Sequence, residues 1–186
     1  NAGSQPRNRT TPPGPDGGRL ACSPDGKSIA YTQGSDPKYS AYHLNRLAIV
    51  PASGGTPRVV TEKLDRGAAF PAFVGNDAVV VLVSDDQSEY PVRVKLSDGS
   101  VERLVGGRIA ITAQSRGGGH TAVLASTDVA EREIFALDGG SLRKLTSQND
   151  AMTNERQLAP AEDITFPSKD GTEVHGLLTQ PLNYAR

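Results

Sequence analysis

The residues best suited to bind a metal are one acidic group and three histidines. The acidic group is Asp85, Asp86 and Glu89, and the histidines are His43, His120 and His175. The acidic group lacks the Asp-x-Asp-x-Asp-Gly spacing of a calcium loop, and the histidines lack metal-ligand spacing. We therefore predict a solvated turn, with an adventitious cation site as the alternative. We predict structural or surface histidines and no bound metal or cofactor.

Two short motifs could be mistaken for reactive sites. Gly26-Lys27-Ser28 resembles the end of a phosphate-binding loop, but position 21 is Ala21 where that motif needs glycine. A helix must also follow, and the residues that follow are β-type. The single cysteine excludes an internal disulfide framework and a Cys-rich zinc site. We predict that Cys22 is a small buried hydrophobic residue in a strand.

One loop contains residues suited to substrate contact. The segment 35–45 reads SDPKYSAYHLN and is long for a connection between neighbouring strands. Tyr39 and Tyr42 within it could serve as rigid contact points. The two tyrosines are therefore our candidate substrate-binding residues, and a surface loop that packs on its own sheet is the alternative.

Charge and hydropathy exclude several classes of protein. The net charge is −1, which leaves no electrostatic footprint for nucleic acid. The longest apolar run is 78–83, which is too short for a transmembrane helix. The chain starts at Asn1 without a signal segment, and its single cysteine fits a reducing or an oxidising environment. The localisation therefore stays open between cytoplasmic and periplasmic or secreted.

The elements that position these residues are repeated short strands. Similar turn-and-strand units begin at Ser23, Phe73 and Ser115, and a later glycine-bearing turn recurs at Gly55, Gly99 and Gly140. The glycine spacings are 44 and 41 residues. Four strands in such a period are typical of β-propeller blades. No segment shows convincing helical periodicity, and a generic β-sandwich is the alternative fold.

The repeat pattern predicts an all-β chain with about three four-stranded blades, at about 20–62, 68–106 and 109–147. Their strands are predicted at about 19–23, 28–33, 45–51 and 56–61, then 68–73, 78–84, 91–96 and 100–105, then 109–114, 120–126, 132–137 and 141–146. Residues 1–19 are rich in Pro, Gly and polar residues, which predicts a disordered arm or long loop.

Three blades do not close a ring, because closed propellers have four to eight. The partial propeller at 20–150 would leave open edges that invite pairing. We therefore expect further blades in a parent protein, a completing partner, or self-association through the edges.

The repeat stops after Asn149. Residues 151–163 read as a linker, and 164–181 read as a β-hairpin around a Ser168-Lys169-Asp170-Gly171 turn. This hairpin lies outside the repeat period. Residues 164–186 therefore look like the start of a further, truncated domain.

Together these segments resemble the prolyl oligopeptidase family of serine peptidases, which includes dipeptidyl and acylaminoacyl peptidases. The resemblance rests on SPDGKSIAYTQG (23–34), LAIVPASGGTPRVVT (47–61) and ITFPSKDGTEVHGLLTQP (164–181), and it covers about 20–182. In that family the hairpin opens the α/β-hydrolase domain. The propeller caps that domain and limits entry to short peptides.

The family's catalytic residues have no counterpart in this chain. The family uses a Gly-x-Ser-x-Gly nucleophile, and the nearest string, 26–30, ends in Ala30 and begins a strand. Paired glutamates hold the substrate amine in the dipeptidyl branch, but Glu131 and Glu133 belong to a different part of the propeller. We predict that both glutamates lie on a polar blade face.

The repeat and the family resemblance are compatible with two functions. The first is a non-catalytic propeller portion of such a peptidase, inactive alone, with the parent's hydrolase domain as its partner and short peptides as the parent's substrates. The second is a stand-alone propeller interaction module, like those of translocation systems, with no enzymatic activity.

Overall fold

The computed structural model describes residues 7–10, 16–34, 36–39 and 42–184. These residues form fourteen strands and one short helix. The strands of the first two predicted blades are β1 (Asp16–Cys22), β2 (Ser28–Gln33), β3 (Arg46–Pro51), β4 (Arg58–Val59), β5 (Ala68–Val74), β6 (Ala78–Asp85), β7 (Ser88–Lys95) and β8 (Val101–Arg103). The remaining elements are β9 (Ala110–Gly117), β10 (His120–Thr127), β11 (Ala130–Asp138), β12 (Ser141–Lys144), α1 (Asp150–Glu155), β13 (Ala161–Pro167) and β14 (Glu173–Thr179).

The chain divides into two compact units. The first contains residues 1–83 and 91–103, and the second contains 84–90 and 104–186. In the first unit, β1, β2, β3 and β4 form an antiparallel sheet in sequence order. The pairs Tyr31–Ala48 and Ile49–Arg58 set its register. Strand β5 pairs with β6, and β7 pairs with β8, also antiparallel.

The core of the first unit is centred on β6. All six residues from Ala78 to Val83 are buried, so β6 is covered on both faces and its side chains do not alternate between buried and exposed. A strand buried on both faces reads as a continuous apolar run. Tyr31, Leu47 and Val50 extend this core into the first sheet.

Aspartate–glycine turns end strands in both units by one local mechanism. In the first, Asp25 Oδ1 accepts hydrogen bonds from Ser23 Oγ at 2.6 Å and from the Lys27 N–H at 3.0 Å. The following Gly26 has a φ of 70°, as the turn chemistry predicts. Asp98-Gly99 and Asp170-Gly171 repeat the arrangement. The hydroxyl of Ser168 and the N–H of Thr172 lower the pKa of Asp170 to about 2.

The second unit contains the meander from β9 to β12 and the hairpin of β13 and β14. The meander is antiparallel in sequence order, with Leu124 opposite Ile134. Its apolar core is small and includes Ile111, Val123 and Ala125. Among the described residues, strands β13 and β14 pair only with each other, with Thr165 opposite His175.

The predicted strand positions agree with the observed strands to within a few residues, and the structure differs from the prediction in three places. Strand β1 begins at Asp16, inside the segment predicted as an arm. Helix α1 occupies the start of the predicted linker, and β13 begins at Ala161 inside its end. Strand β7 begins at Ser88, before its predicted start at residue 91, and Glu89 pairs in parallel with Ala110.

Candidate functional site

The strongest cluster of charged side chains lies where the β13–β14 hairpin meets the rest of the second unit. We call this contact the hairpin seat. It is built by Arg108 just before β9, Asp128 between β10 and β11, Asp86 in the β6–β7 turn, and Asp163 and His175 on the hairpin. The seat therefore connects residues that lie up to 89 positions apart in the sequence.

Arg108 is the fixed end of the seat. Its Nη1 donates to Asp163 Oδ1 at 2.8 Å, and its Nη2 donates to Asp128 Oδ2 at 2.6 Å and to the carbonyl of Ala161. Asp128 Oδ2 also accepts the Ala161 N–H at 2.9 Å. Hydrogen bonding to Asp163 raises the pKa of Arg108, and the Ala161 N–H chiefly lowers the pKa of Asp128. Arg108 therefore fastens the first residues of β13 with charge-assisted hydrogen bonds.

His175 is the other end of the seat. Its Nδ1 lies 2.9 Å from Asp86 Oδ2, and its Nε2 lies 2.8 Å from Glu173 Oε1. The hydrogen bond to Asp86, and then that to Glu173, raises the pKa of the imidazole. Asp86 lies in an exposed turn, as predicted, and its carboxylate also contacts a histidine of another element.

A small cavity of about 210 Å³ lies inside the seat. Arg108, Asp128, Gln87 and Leu177 are among its lining residues. The arrangement can hold one hairpin in place, because Arg108 and Asp128 bond to each other and to Ala161 at the start of β13.

The hairpin presents chemically different faces. Residues opposite each other in an antiparallel pair share a face, and the face with Asp163, His175 and Leu177 is the seated one. The other face contains Ile164, Phe166, Val174, Gly176 and Leu178, together with the charged Glu162 opposite Leu178. Phe166 is 49% exposed and Leu178 is 38% exposed. The hairpin thus has one face that carries the ion pairs and a second, mostly apolar face that is partly exposed.

Glu131 and Glu133 have different environments, so the predicted polar face was wrong for Glu133. Glu131 is exposed, whereas Glu133 is 4% exposed and accepts hydrogen bonds from the Thr146 hydroxyl and from the Asn149 N–H at 2.6 Å. The Thr146 hydroxyl, and then the Asn149 N–H, lower the pKa of Glu133. Glu133 therefore holds the chain between β12 and α1, which explains why this helix forms without an apolar face.

Replacing Glu133 with glutamine is expected to lower the stability of the fold and to reduce its acid sensitivity. A lowered folded-state pKa stabilises the fold above the unfolded value of 4.5, and this stabilisation is lost as pH falls through the lower folded value. Urea unfolding between about pH 3 and 7 measures the effect for the wild type and E133Q. The exposed neighbour supplies the control, E131Q, and an equal loss in both variants would contradict the prediction.

The other candidate residues are not brought together in a site. Tyr39 and Tyr42 are both exposed, at 49% and 87%, and the Lys38 ammonium lies 5.0 Å from the Tyr39 ring centroid. Residues 35, 40 and 41 of their loop lie outside the described part of the chain. Cys22 is exposed, so its predicted burial was wrong: β1 is exposed along most of its length, with Arg19 and Leu20 also on the surface.

Two further features are absent from the described residues. No group of three or more His, Cys, Asp or Glu side chains there could hold a metal ion. No helix among the same residues is long and apolar enough to cross a membrane. Sequence reasoning missed the Arg108 cluster, because no local motif relates this arginine to Asp128 and Asp163.

Comparison with known proteins gives structural relatives only. No family model and no curated protein matches the chain. The uncomplexed acylaminoacyl peptidase of Pyrococcus horikoshii superposes with a TM-score of 0.70 at 21% identity, over 85% of this chain and 24% of that one. The β-propeller domain of the Trilobed protease from Pyrococcus furiosus gives 0.54 at 24% identity, over 68% of this chain and 37% of that one. A putative TolB from Agrobacterium tumefaciens superposes with a TM-score of 0.54 at 19% identity, over 88% of this chain and 55% of that one.

The chain spans about a quarter of the length of the acylaminoacyl peptidase that it resembles. At these identities the likeness concerns the fold and not the activity. The antiparallel meanders of this nearly all-β chain match the β-propeller domains of prolyl-oligopeptidase-type proteases and of TolB.

Proposed function

We propose that this chain is the non-catalytic β-propeller portion of a prolyl-oligopeptidase-type serine peptidase. In this proposal three blades between about residues 20 and 150 cap a hydrolase domain of the same parent chain. Residues 164–186 begin that domain, and the cap restricts entry to short peptides. The fold likeness to a peptidase over 85% of this chain supports the proposal.

The observation that carries the proposal is the β13–β14 hairpin. It follows the last meander, and Arg108 and His175 fasten only one of its faces. On its opposite face, the exposed Phe166 and Leu178 flank the half-buried Ile164 and Val174, and Leu178 lies opposite Glu162. Contiguous exposed apolar residues mark a surface that another element covers. A following domain of the same chain is the occupant that the proposal supplies.

The test begins with the coding sequence beyond Arg186, over about 250 codons, the size of one large domain. We expect an open frame with a Gly-x-Ser-x-Gly motif followed by aspartate and histidine. We also expect the isolated 186-residue chain to leave short chromogenic peptides intact and the whole protein to cleave them. Turnover by the isolated chain, or a frame without the motif, would overturn the proposal.

The candidate tyrosines give the proposal a second test. If Tyr39 and Tyr42 border the substrate cavity of the parent, replacing both with alanine lowers its kcat/KM for peptides by roughly tenfold, the cost of about one or two aromatic contacts. The exposed Tyr184, changed alone to alanine, is the matched control. Unchanged kcat/KM in the double variant would remove the tyrosines from the site.

The second candidate function is a stand-alone interaction module without an enzyme. The observation in its favour is the TolB-type propeller, because the likeness covers 55% of that chain, against 24% of the acylaminoacyl peptidase. A stop codon soon after Arg186 would favour this module. Co-purification of a partner that binds the open blade edges would then identify its role.

A further inference from the structure

We propose that His175 is a pH-sensitive latch that holds the β13–β14 hairpin against the β6–β7 turn. The hairpin has two anchors in its seat: Arg108 fastens the start of β13, and the contact between His175 and Asp86 fastens the middle of β14. The inference concerns the hairpin of this chain, and it stands whether or not a catalytic domain follows.

The chemistry of the contact distinguishes the charged from the neutral imidazole. Both partners of His175 are carboxylates, which only accept hydrogen bonds when ionised. A neutral imidazole has one N–H and can donate to Asp86 or to Glu173, but not to both. The imidazolium has two N–H groups and satisfies both carboxylates at once. Loss of one proton therefore removes one hydrogen bond and the charge attraction of the latch.

Among the described residues, no other charged group on the facing elements takes over when His175 loses its proton. In the β6–β7 segment, Asp85 accepts the Tyr90 hydroxyl and Glu89 accepts the Ser84 hydroxyl. On β13, the residues that share the seated face near His175 are Thr165 and Pro167, which are uncharged. The next charged residue on that face, Asp163, is bonded to Arg108.

The direction of the pH dependence follows from these contacts. A histidine whose pKa is raised by its partners stabilises the docked state below the usual value of 6.5. That stabilisation is lost as pH rises through the raised value. Arg108 keeps its charge throughout, so the hairpin remains attached at β13 while β14 is released.

Methyl and imidazole NMR of the 186-residue chain tests the latch directly. Leu177 lines the seat cavity, whereas Leu178 lies on the opposite face, so the two methyl signals form an internal matched pair. We expect the Leu177 signal to shift with the same midpoint as His175, above about pH 6.5, while the Leu178 signal changes little.

Three variants complete the test. H175Q and D86N should abolish the pH dependence of the Leu177 methyl signal. D86N should also lower the pH at which the His175 imidazole is half titrated. The exposed His120 on β10 supplies the control, because H120Q should leave both midpoints unchanged. In the wild type, a Leu177 signal that stays constant while His175 titrates would overturn the latch, and so would a Leu177 signal that keeps its pH dependence in H175Q.

Discussion

Replacing Gly99 with alanine is expected to destabilise the first unit by about 3 kcal/mol, the sum of a steric overlap and an unfavourable backbone conformation. A Cβ atom at this position would lie 2.6 Å from the carbonyl oxygen of Val60. Because that oxygen belongs to the backbone, it cannot rotate away. Gly99 also has a φ of 72°, a conformation that costs an alanine about 1 kcal/mol.

Gly26 provides a closely matched control for this prediction. It occupies the same kind of aspartate–glycine turn in the same unit with a φ of 70°, and a Cβ there would meet no atom within 4 Å. G26A should therefore show only the backbone cost of about 1 kcal/mol. Urea unfolding followed by circular dichroism measures both variants, and equal losses would show that the contact with Val60 relaxes at little cost.

Replacing Leu82 with alanine is expected to cost about 2–5 kcal/mol, the range for a leucine deleted from a packed core. Leu82 is 2% exposed in the centre of β6, where both faces are covered, and it pairs across the sheet with Ala69. The lost side chain would leave a cavity that neighbouring strands cannot fill without breaking their register.

The control for Leu82 is a leucine of the same unit that lies on the surface. Leu20 in β1 is 70% exposed, so L20A should change the free energy of unfolding by less than about 0.5 kcal/mol. Chemical unfolding of both variants and the wild type makes the comparison. If L82A retained the wild-type unfolding midpoint, the first unit would not depend on β6 for its core.

The outer strand of each meander is short. Short outer strands, of two to four residues in β4, β8 and β12, end each meander and offer little edge for pairing with other chains. The exposed apolar face of the hairpin contrasts with these protected edges. The self-association expected from an open arc of blades stays a prediction.

The strand positions were predictable from the sequence because their signals are local. Alternating or continuous apolar runs set the strands, and residues such as Asp25 and Gly26 set the turns through hydrogen bonds to atoms two residues away. The 44- and 41-residue spacing of the repeated glycines then indicated propeller-type meanders. The peptidase and TolB likenesses agree with that fold.

The helix and the buried glutamate were not predictable from local patterns. Helix α1 has no buried residue and therefore no apolar period to detect. It follows Asn149, whose N–H and side chain are held by Glu133 and by the carbonyl of Arg132. From the sequence alone, a charged residue on a strand is predicted to be exposed, because its hydrogen-bonding partners are not known.

The sequence by itself determined the β-strands, the turn glycines and the absence of a nucleophile motif, because each depends on residues close together in the chain. Only the tertiary structure decided which charges meet. Arg108 reaches Asp163 over 55 residues, and His175 reaches Asp86 over 89 residues. Side chains this far apart meet only after the strands have paired and the hairpin has docked, and no spacing rule encodes that geometry. The hairpin seat, on which the latch depends, is therefore a property of the folded chain.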